Sequence, residues 1–153
     1  MRTAIGGGLI ALLLPSAGWA GTLVAQVVGG AEIARLTVPD GTGWCVLWRH
    51  SVQGFEVRDC YENRGGRMVL VRSHQPDFAA GLDHIPGRGR VVSDGSGGYW
   101  ILDIDEPVPG DAYILRPGRG PVDHRLEAGG RTVSLSGAAP RARVRIALER
   151  DED

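Results

Sequence analysis

The chain has 153 residues with 17 basic and 18 acidic side chains, which gives a formal net charge of −1 at pH 7. This balance excludes the basic surface that binding to nucleic acid or to anionic lipid requires, so neither is an expected partner. The length suits a single domain, and 24 glycines with 9 prolines favour short strands and tight turns over a helical fold.

The N-terminus has the layout of a secretory signal peptide. Arg2 precedes an uncharged apolar run, and small residues follow it up to Ala20. We expect cleavage after Ala20, which leaves 21–153 as one β domain. An uncleaved anchor is the alternative, because the first charge after Arg2 is Glu32 and a span of ~20 apolar residues can cross a bilayer. Either way, the domain is expected in the periplasm or at the extracytoplasmic face of the inner membrane.

After residue 22, the chain shows no apolar spacing typical of a helix. Short β-branched or aromatic segments recur instead, separated by Gly, Pro, Asn and Asp. They predict an all-β fold, a single antiparallel sandwich or barrel-like domain of about ten short strands. The predicted strands are Leu23–Val28, Ala31–Val38, Trp44–His50, Phe55–Glu62, Met68–Ser73, Tyr99–Asp105, Ala112–Arg116, Val122–Glu127, Arg131–Leu135 and Arg141–Leu148.

The two cysteines, Cys45 and Cys60, lie on the third and fourth predicted strands. If Val52 and Gln53 form a two-residue turn, counting back along both strands places the cysteines directly opposite each other. An antiparallel pair holds such residues at a distance that a disulfide can bridge. The same register sets Arg49 opposite Glu56 as a cross-strand ion pair. A longer turn stays open, since Val52 is a poor residue for positive φ.

The neighbouring His50 and Ser51 are not expected to form a catalytic pair. Adjacent residues on a strand point to opposite faces, so the imidazole cannot act as a base toward the hydroxyl. The sequence therefore indicates a structural or ligand-binding role for both residues, and it predicts no catalytic residue.

No other cluster indicates a metal or a cofactor. His74, Asp77, Asp83 and His84 lie close in sequence, but their spacing matches no metal signature. The acidic run at 103–106 is typical of a solvated strand end, and the glycines at 95–98 open no helix that could bind phosphate.

Several short motifs occur together in this chain. They are His50-Ser51-Val52 at the end of an apolar strand, then Asp59 and Tyr61, then Phe78-Ala79-Ala80-Gly81-Leu82, and later His124-Arg125-Leu126 before Gly129-Gly130-Arg131. With these motifs, the sequence from about Leu23 to Leu148 resembles the bacterial family called domain of unknown function 1850. The two cysteines are not part of the family pattern, so the expected disulfide looks like a local addition.

The resemblance implies a small exported or membrane-anchored β domain, often encoded beside permeases of tripartite TAXI-type transporters. The expected function is that of a non-enzymatic periplasmic accessory or binding protein, with the permease or the solute-binding protein as its partner. The family motifs make His50, Ser51, Asp59, Gly81 and His124 the candidate binding residues.

Two other functions stay open at this point. One is a small periplasmic hydrolase or metal-dependent enzyme, which requires His50, Asp59 and His124 to converge on one cleft. The other is a structural envelope domain in which the same polar side chains are buried and satisfy one another.

Overall fold

The computed structural model describes residues 20–76 and 85–150. Within these ranges the chain forms twelve strands, one short α-helix and a 3-10 turn at Pro109–Asp111. The strands are β1 Ala20–Val27, β2 Glu32–Pro39, β3 Gly43–Arg49, β4 Glu56–Arg64, β5 Arg67–Gln75, β6 Arg90–Ser93, β7 Tyr99–Leu102, β8 Glu106–Pro107, β9 Ala112–Leu115, β10 Arg125–Ala128, β11 Arg131–Ser134 and β12 Val144–Arg150, and the helix α1 is Leu135–Ala138.

The strands form two antiparallel sheets, so the all-β prediction is confirmed and the architecture is an open sandwich. The smaller sheet has the order β2-β1-β12-β9. The larger has the order β11-β10-β3-β4-β5-β7-β6, and β8 pairs with β5. The main core lies between the sheets, where Leu23 and Ile146 of one sheet and Met68 and Leu126 of the other are fully buried.

The hairpin of β3 and β4 has the predicted register. Cys45 lies opposite Cys60, and the two form a disulfide with a Cα–Cα distance of 4.0 Å. In this register Val46 pairs with Asp59 and Trp48 with Val57. Because strand side chains alternate between faces, these residues point toward the opposite sheet while the cysteines point away from it.

The turn of this hairpin is wider than a two-residue loop. The His50 N–H donates to the Phe55 carbonyl (2.8 Å), and the Gly54 N–H donates to the His50 carbonyl (2.9 Å). Positive φ falls on Gly54, at 74°, and not on Val52. The wider turn therefore keeps the β-branched residue out of a conformation that glycine accepts without steric cost.

The predicted ion pair between Arg49 and Glu56 is not formed, although the two residues are opposite each other. The Glu56 carboxylate instead binds Arg58, at 3.1 Å, and Arg125 of β10, which lies on the other side of β3. Glu56 thus joins β10 to β4 across β3, which a prediction confined to one hairpin misses.

Short elements were missed by the sequence analysis. The exposed β6 pairs with β7, and the two-residue β8 pairs with β5. β8 is too short to show an alternating pattern, and in β6 the two apolar residues are adjacent, so it shows no alternation of apolar and polar residues. The short helix α1 begins after Ser134, whose Oγ accepts a hydrogen bond from the Gly137 N–H (2.9 Å).

The predicted signal peptide or anchor, apart from Ala20, lies outside the described residues. In the part of the chain that the structure describes, no helix is long and apolar enough to span a membrane.

The disulfide should contribute measurably to stability. The cysteines are separated by 15 residues, and a loop of this size corresponds to ~3 kcal/mol in the chain-entropy model. We expect the double variant Cys45→Ala/Cys60→Ala to lower the free energy of unfolding by about that amount in urea titrations.

Reduction of the wild-type protein with dithiothreitol should have the same effect, and it should leave the double variant unchanged. Equal stability of oxidised and reduced wild type would contradict the prediction.

Candidate functional site

A cavity of about 250 Å³ lies between the two sheets, near one end of the sandwich. Three pairs of alternating strand residues build its walls, and one residue before β10 completes it. The alternation that buries the core also points these side chains inward. The lining residues are Val46 and Trp48 of β3, Asp59 and Tyr61 of β4, Tyr113 and Leu115 of β9, and His124.

Stacked aromatic rings form the main walls of the cavity. Tyr61 lies between Trp44 and Tyr113, with ring centroids 5.7 and 5.3 Å apart and interplanar angles of 15° and 19°. Trp48 stacks on His124, with centroids 5.9 Å apart and an angle of 8°. Such pairs contribute about 0.5–1.5 kcal/mol beyond the area they bury, so they hold the rings in place.

Asp59 brings a carboxyl group into this apolar surrounding. Burial raises the pKa of Asp59, and the Ser73 hydroxyl, directly opposite on β5, opposes the rise by hydrogen bonding. The charge of Arg88 acts in the same direction as Ser73 with a smaller effect. Among the described residues no cation lies within ion-pair distance of Asp59, and the groups there that favour its carboxylate are the Ser73 hydroxyl and the more distant charge of Arg88.

His124 supplies the second polar group, and only 8% of its surface is exposed. Its Nδ1 accepts a hydrogen bond from the Gly118 N–H (3.1 Å), and its backbone N–H donates to Ser136 Oγ (2.8 Å). Burial lowers the pKa of His124 below 6.5, with a smaller opposing effect of Asp123. The ring is therefore neutral at pH 7 and carries its hydrogen on Nε2.

Two buried polar atoms near the cavity have no hydrogen-bond partner within the described residues, Tyr113 Oη and Trp44 Nε1. The Tyr61 and Trp44 side chains approach the Tyr113 hydroxyl without hydrogen-bond geometry. Burial raises the pKa of Tyr61 to about 12 and raises the pKa of Tyr113 well above its ordinary value, so both phenols are neutral at pH 7. A buried polar atom without a partner is rare in native proteins and is a reason to look for a ligand.

A second, smaller cavity of about 180 Å³ shares Tyr61 and Tyr113 with the first. Leu70, Val108 and two prolines complete its mostly apolar walls, and Glu106 lies at its edge. The stacked tyrosines thus separate two spaces. Only the first of them contains both Asp59 and His124.

The structure brings two of the predicted site residues together and leaves His50 and Ser51 apart from them. Asp59 and His124 line the same cavity, but they form no hydrogen bond or ion pair with each other in the described structure. His50 lies at the turn, where its Nδ1 accepts from the N–H groups of Val52 (3.4 Å) and Gln53 (3.2 Å). Its ring packs on Phe55, with centroids 5.1 Å apart. Ser51 is exposed in the same turn, and Gly81 lies outside the described residues.

The predicted site residues do not include three residues that line the cavity: Trp48, Tyr113 and Leu115. Alternation within Ala112–Leu115 places Tyr113 and Leu115 on one face, so the strand could be predicted. Its position beside β12, opposite β3 and β4, depends on contacts between distant segments, which no local pattern contains.

The other polar clusters of the sequence are satisfied locally. His74 Nε2 lies 2.8 Å from Asp94, and the His74 ring packs on Trp100. Asp94 also accepts hydrogen bonds from the N–H groups of Ser96 and Gly98, so it organises the glycine-rich turn, and its pKa is lowered to about 2 mainly by the Ser96 N–H. Asp77, Asp83 and His84 lie outside the described residues. Within 20–76 and 85–150, no three His, Cys, Asp or Glu side chains are arranged to hold a metal ion.

Comparison with known proteins gives one finding. The family model described as domain of unknown function (DUF1850) matches residues 45–135, which include all the residues that line the cavity. No curated protein and no solved structure matches the chain.

The raised pKa of Asp59 predicts a pH-dependent effect of Asp59→Asn. A carboxyl whose pKa is higher in the folded state than the ordinary 3.8 stabilises the fold at low pH, and that stability is lost as the pH rises. At pH 7 the wild type contains the poorly solvated carboxylate, whereas the asparagine variant does not. We expect Asp59→Asn to be more stable than wild type at pH 7, with the difference shrinking toward pH values below 3.8.

Urea unfolding between pH 3 and pH 7 measures this difference. Asp103→Asn is the matched control, because the Asp103 side chain is 72% exposed and pairs with Arg90. An advantage of Asp59→Asn that does not grow with pH would show that burial of the charge is not its cause.

Proposed function

The chain belongs to the DUF1850 family, a domain of unknown function, and from this premise we propose that it is a non-enzymatic binding protein of the extracytoplasmic space. Its binding site is the cavity between the sheets. Its role is that of an accessory component of a tripartite TAXI-type transporter, as the resemblance of the sequence implies.

One observation carries the binding role: Asp59 and His124 meet in a single aromatic cavity without satisfying each other. Placing polar groups in an apolar surrounding without full hydrogen bonding costs free energy, which a fold that needed only a core would avoid with apolar side chains. Partly apolar cavities with a few convergent polar groups and perturbed pKa values are the usual form of small-molecule sites. The volume of about 250 Å³ suits a small ligand.

The compartment is supported by the Cys45–Cys60 disulfide. Disulfides form and persist in oxidising compartments such as the bacterial periplasm, whereas cytoplasmic thiols are kept reduced. An N-terminal sequence with the layout of a signal peptide is consistent with the same location.

An enzymatic role has less support from the geometry. The hydrolase hypothesis needs His50 beside Asp59 and His124, but the His50 ring is held at the turn by Phe55 and two backbone N–H groups. The described residues that line the cavity include no Ser, Thr, Cys or Lys, and Asp59, which could itself serve as a nucleophile, has no hydrogen bond to His124 there. Binding without chemistry is therefore the function that these residues support best.

The transporter association is tested by capture from native membranes. The tagged full-length chain is cross-linked in cells that lack the untagged copy, and the captured proteins are identified by mass spectrometry. We expect a TAXI-type permease or its solute-binding protein to be enriched over capture with an unrelated exported protein. We also expect deletion of the gene to reduce uptake by that transporter.

Recovery of no transporter component, together with unchanged uptake in the deletion strain, would overturn the association. Complementation of the deletion strain with variants tests whether uptake depends on the cavity. Asp103→Asn, at an exposed residue that does not line the cavity, should restore uptake, whereas Asp59→Asn should not.

A further inference from the structure

We propose that the cavity between the sheets binds a small organic cation, a compact apolar body that carries one protonated amine, with Asp59 as its counter-ion. This inference rests on the proposed binding role of the cavity and names the chemical class of its ligand. It concerns the lining residues alone and does not depend on any partner protein.

Asp59 differs from most other described carboxylates in having no ion pair in the described part of the chain. Among the described carboxylates, all but Asp40 and Asp59 lie within ion-pair distance of an arginine or a histidine. Asp40 is exposed and accepts a hydrogen bond from the Gly65 N–H. Asp59 is thus the inward-facing carboxyl that has no ion-pair partner within 20–76 and 85–150, and an unpaired charge costs more free energy there than a paired one.

The described part of the cavity contains no competing positive charge. The described residues that line it include no arginine, and the whole sequence contains no lysine. His124 is neutral, since burial opposes its protonation. Arg88, whose charge reaches Asp59, is itself bound to Glu106 at 2.7 Å. An anionic ligand would be repelled by the Asp59 carboxylate, whereas an ammonium ion would be attracted by it and could donate a hydrogen bond to it.

The cavity also provides further hydrogen-bond acceptors and aromatic surface. An ammonium group donates three hydrogen bonds and accepts none. The Asp59 oxygens can receive them, and so can Tyr113 Oη, which has no hydrogen-bond partner among the described residues. The rings of Trp48 and Tyr113 also line the cavity, and the faces of such rings attract cations within about 6 Å of a ring centroid.

The volume limits the ligand to a small body. A dry cavity of ~150 Å³ is enough to hold benzene. The present cavity, at about 250 Å³, therefore holds one ring or a short branched chain together with its amine. Val46 and Leu115 supply apolar surface for that body.

Three probes of nearly equal shape test the proposal: benzylammonium, benzyl alcohol and benzoate. Their binding to the oxidised full-length chain is measured by isothermal titration calorimetry at pH 7. We expect benzylammonium to bind best and benzoate worst. Asp59→Asn should weaken benzylammonium about tenfold or more, because it removes a charge-assisted hydrogen bond, and should change benzyl alcohol little.

Two further variants keep the result interpretable. Tyr113→Phe should weaken benzylammonium severalfold without affecting benzyl alcohol, and Asp103→Asn should bind all three probes as the wild type does. Thermal unfolding of each variant shows that it is folded before titration.

Equal or tighter binding of the alcohol or of benzoate would overturn the cationic class but leave the cavity as a binding site. Binding of none of the three probes would overturn the ligand proposed here. Neither result bears on the transporter association, which the capture experiment decides separately.

Discussion

The antiparallel register of β3 and β4 is the constraint on which the rest of the structure depends. It decides which side chains of these strands face the smaller sheet, and a slip by one residue would reverse every one of them. In the observed register Val46, Trp48, Asp59 and Tyr61 point inward. The Cys45–Cys60 disulfide fixes that register covalently on the outer face. The covalent link and the binding groups are therefore on opposite faces of the same hairpin, and the link can hold the site without entering it.

This register could be predicted from the sequence because it depends on one turn and two nearly adjacent strands. The exact turn could not, since His50 and Gly54 close it with a wider hydrogen-bonded loop. The same locality explains why Asp59 was found among the site residues and Tyr113 was not. Asp59 stands out as a charge in an apolar alternation, whereas Tyr113 is an ordinary residue of a four-residue strand. Only the packing of β9 beside β12 brings it to Asp59, and such contacts between distant segments have no local signature.

His50 shows the opposite limit of sequence reasoning. It was grouped with Asp59 and His124 because the three stand at motif positions. The structure gives it a local task instead, since its Nδ1 receives two N–H groups of the turn and its ring covers Phe55. A sequence motif indicates that a residue is needed, but it does not indicate which role the residue has. Here the same three-residue motif contributes His50 to the turn, leaves Ser51 exposed, and helps to place the hairpin that carries the binding groups.

Stability and the proposed function favour different residues on the inner face. Apolar residues at the positions of Asp59 and His124 would fill the space between the sheets, and replacing buried polar groups in this way is often neutral or stabilising. Elsewhere the described chain neutralises its carboxylates with arginines, as Glu56 does with Arg58 and Arg125. The Arg88 guanidinium is near enough for its charge to lower the pKa of Asp59. It forms its ion pair with Glu106, however, and Asp59 has no ion pair among the described residues. Departure from a rule that the rest of the molecule follows is expected at functional sites, where a ligand completes what the chain leaves open. Asp59 is therefore better understood as half of an ion pair whose other half comes from outside the protein.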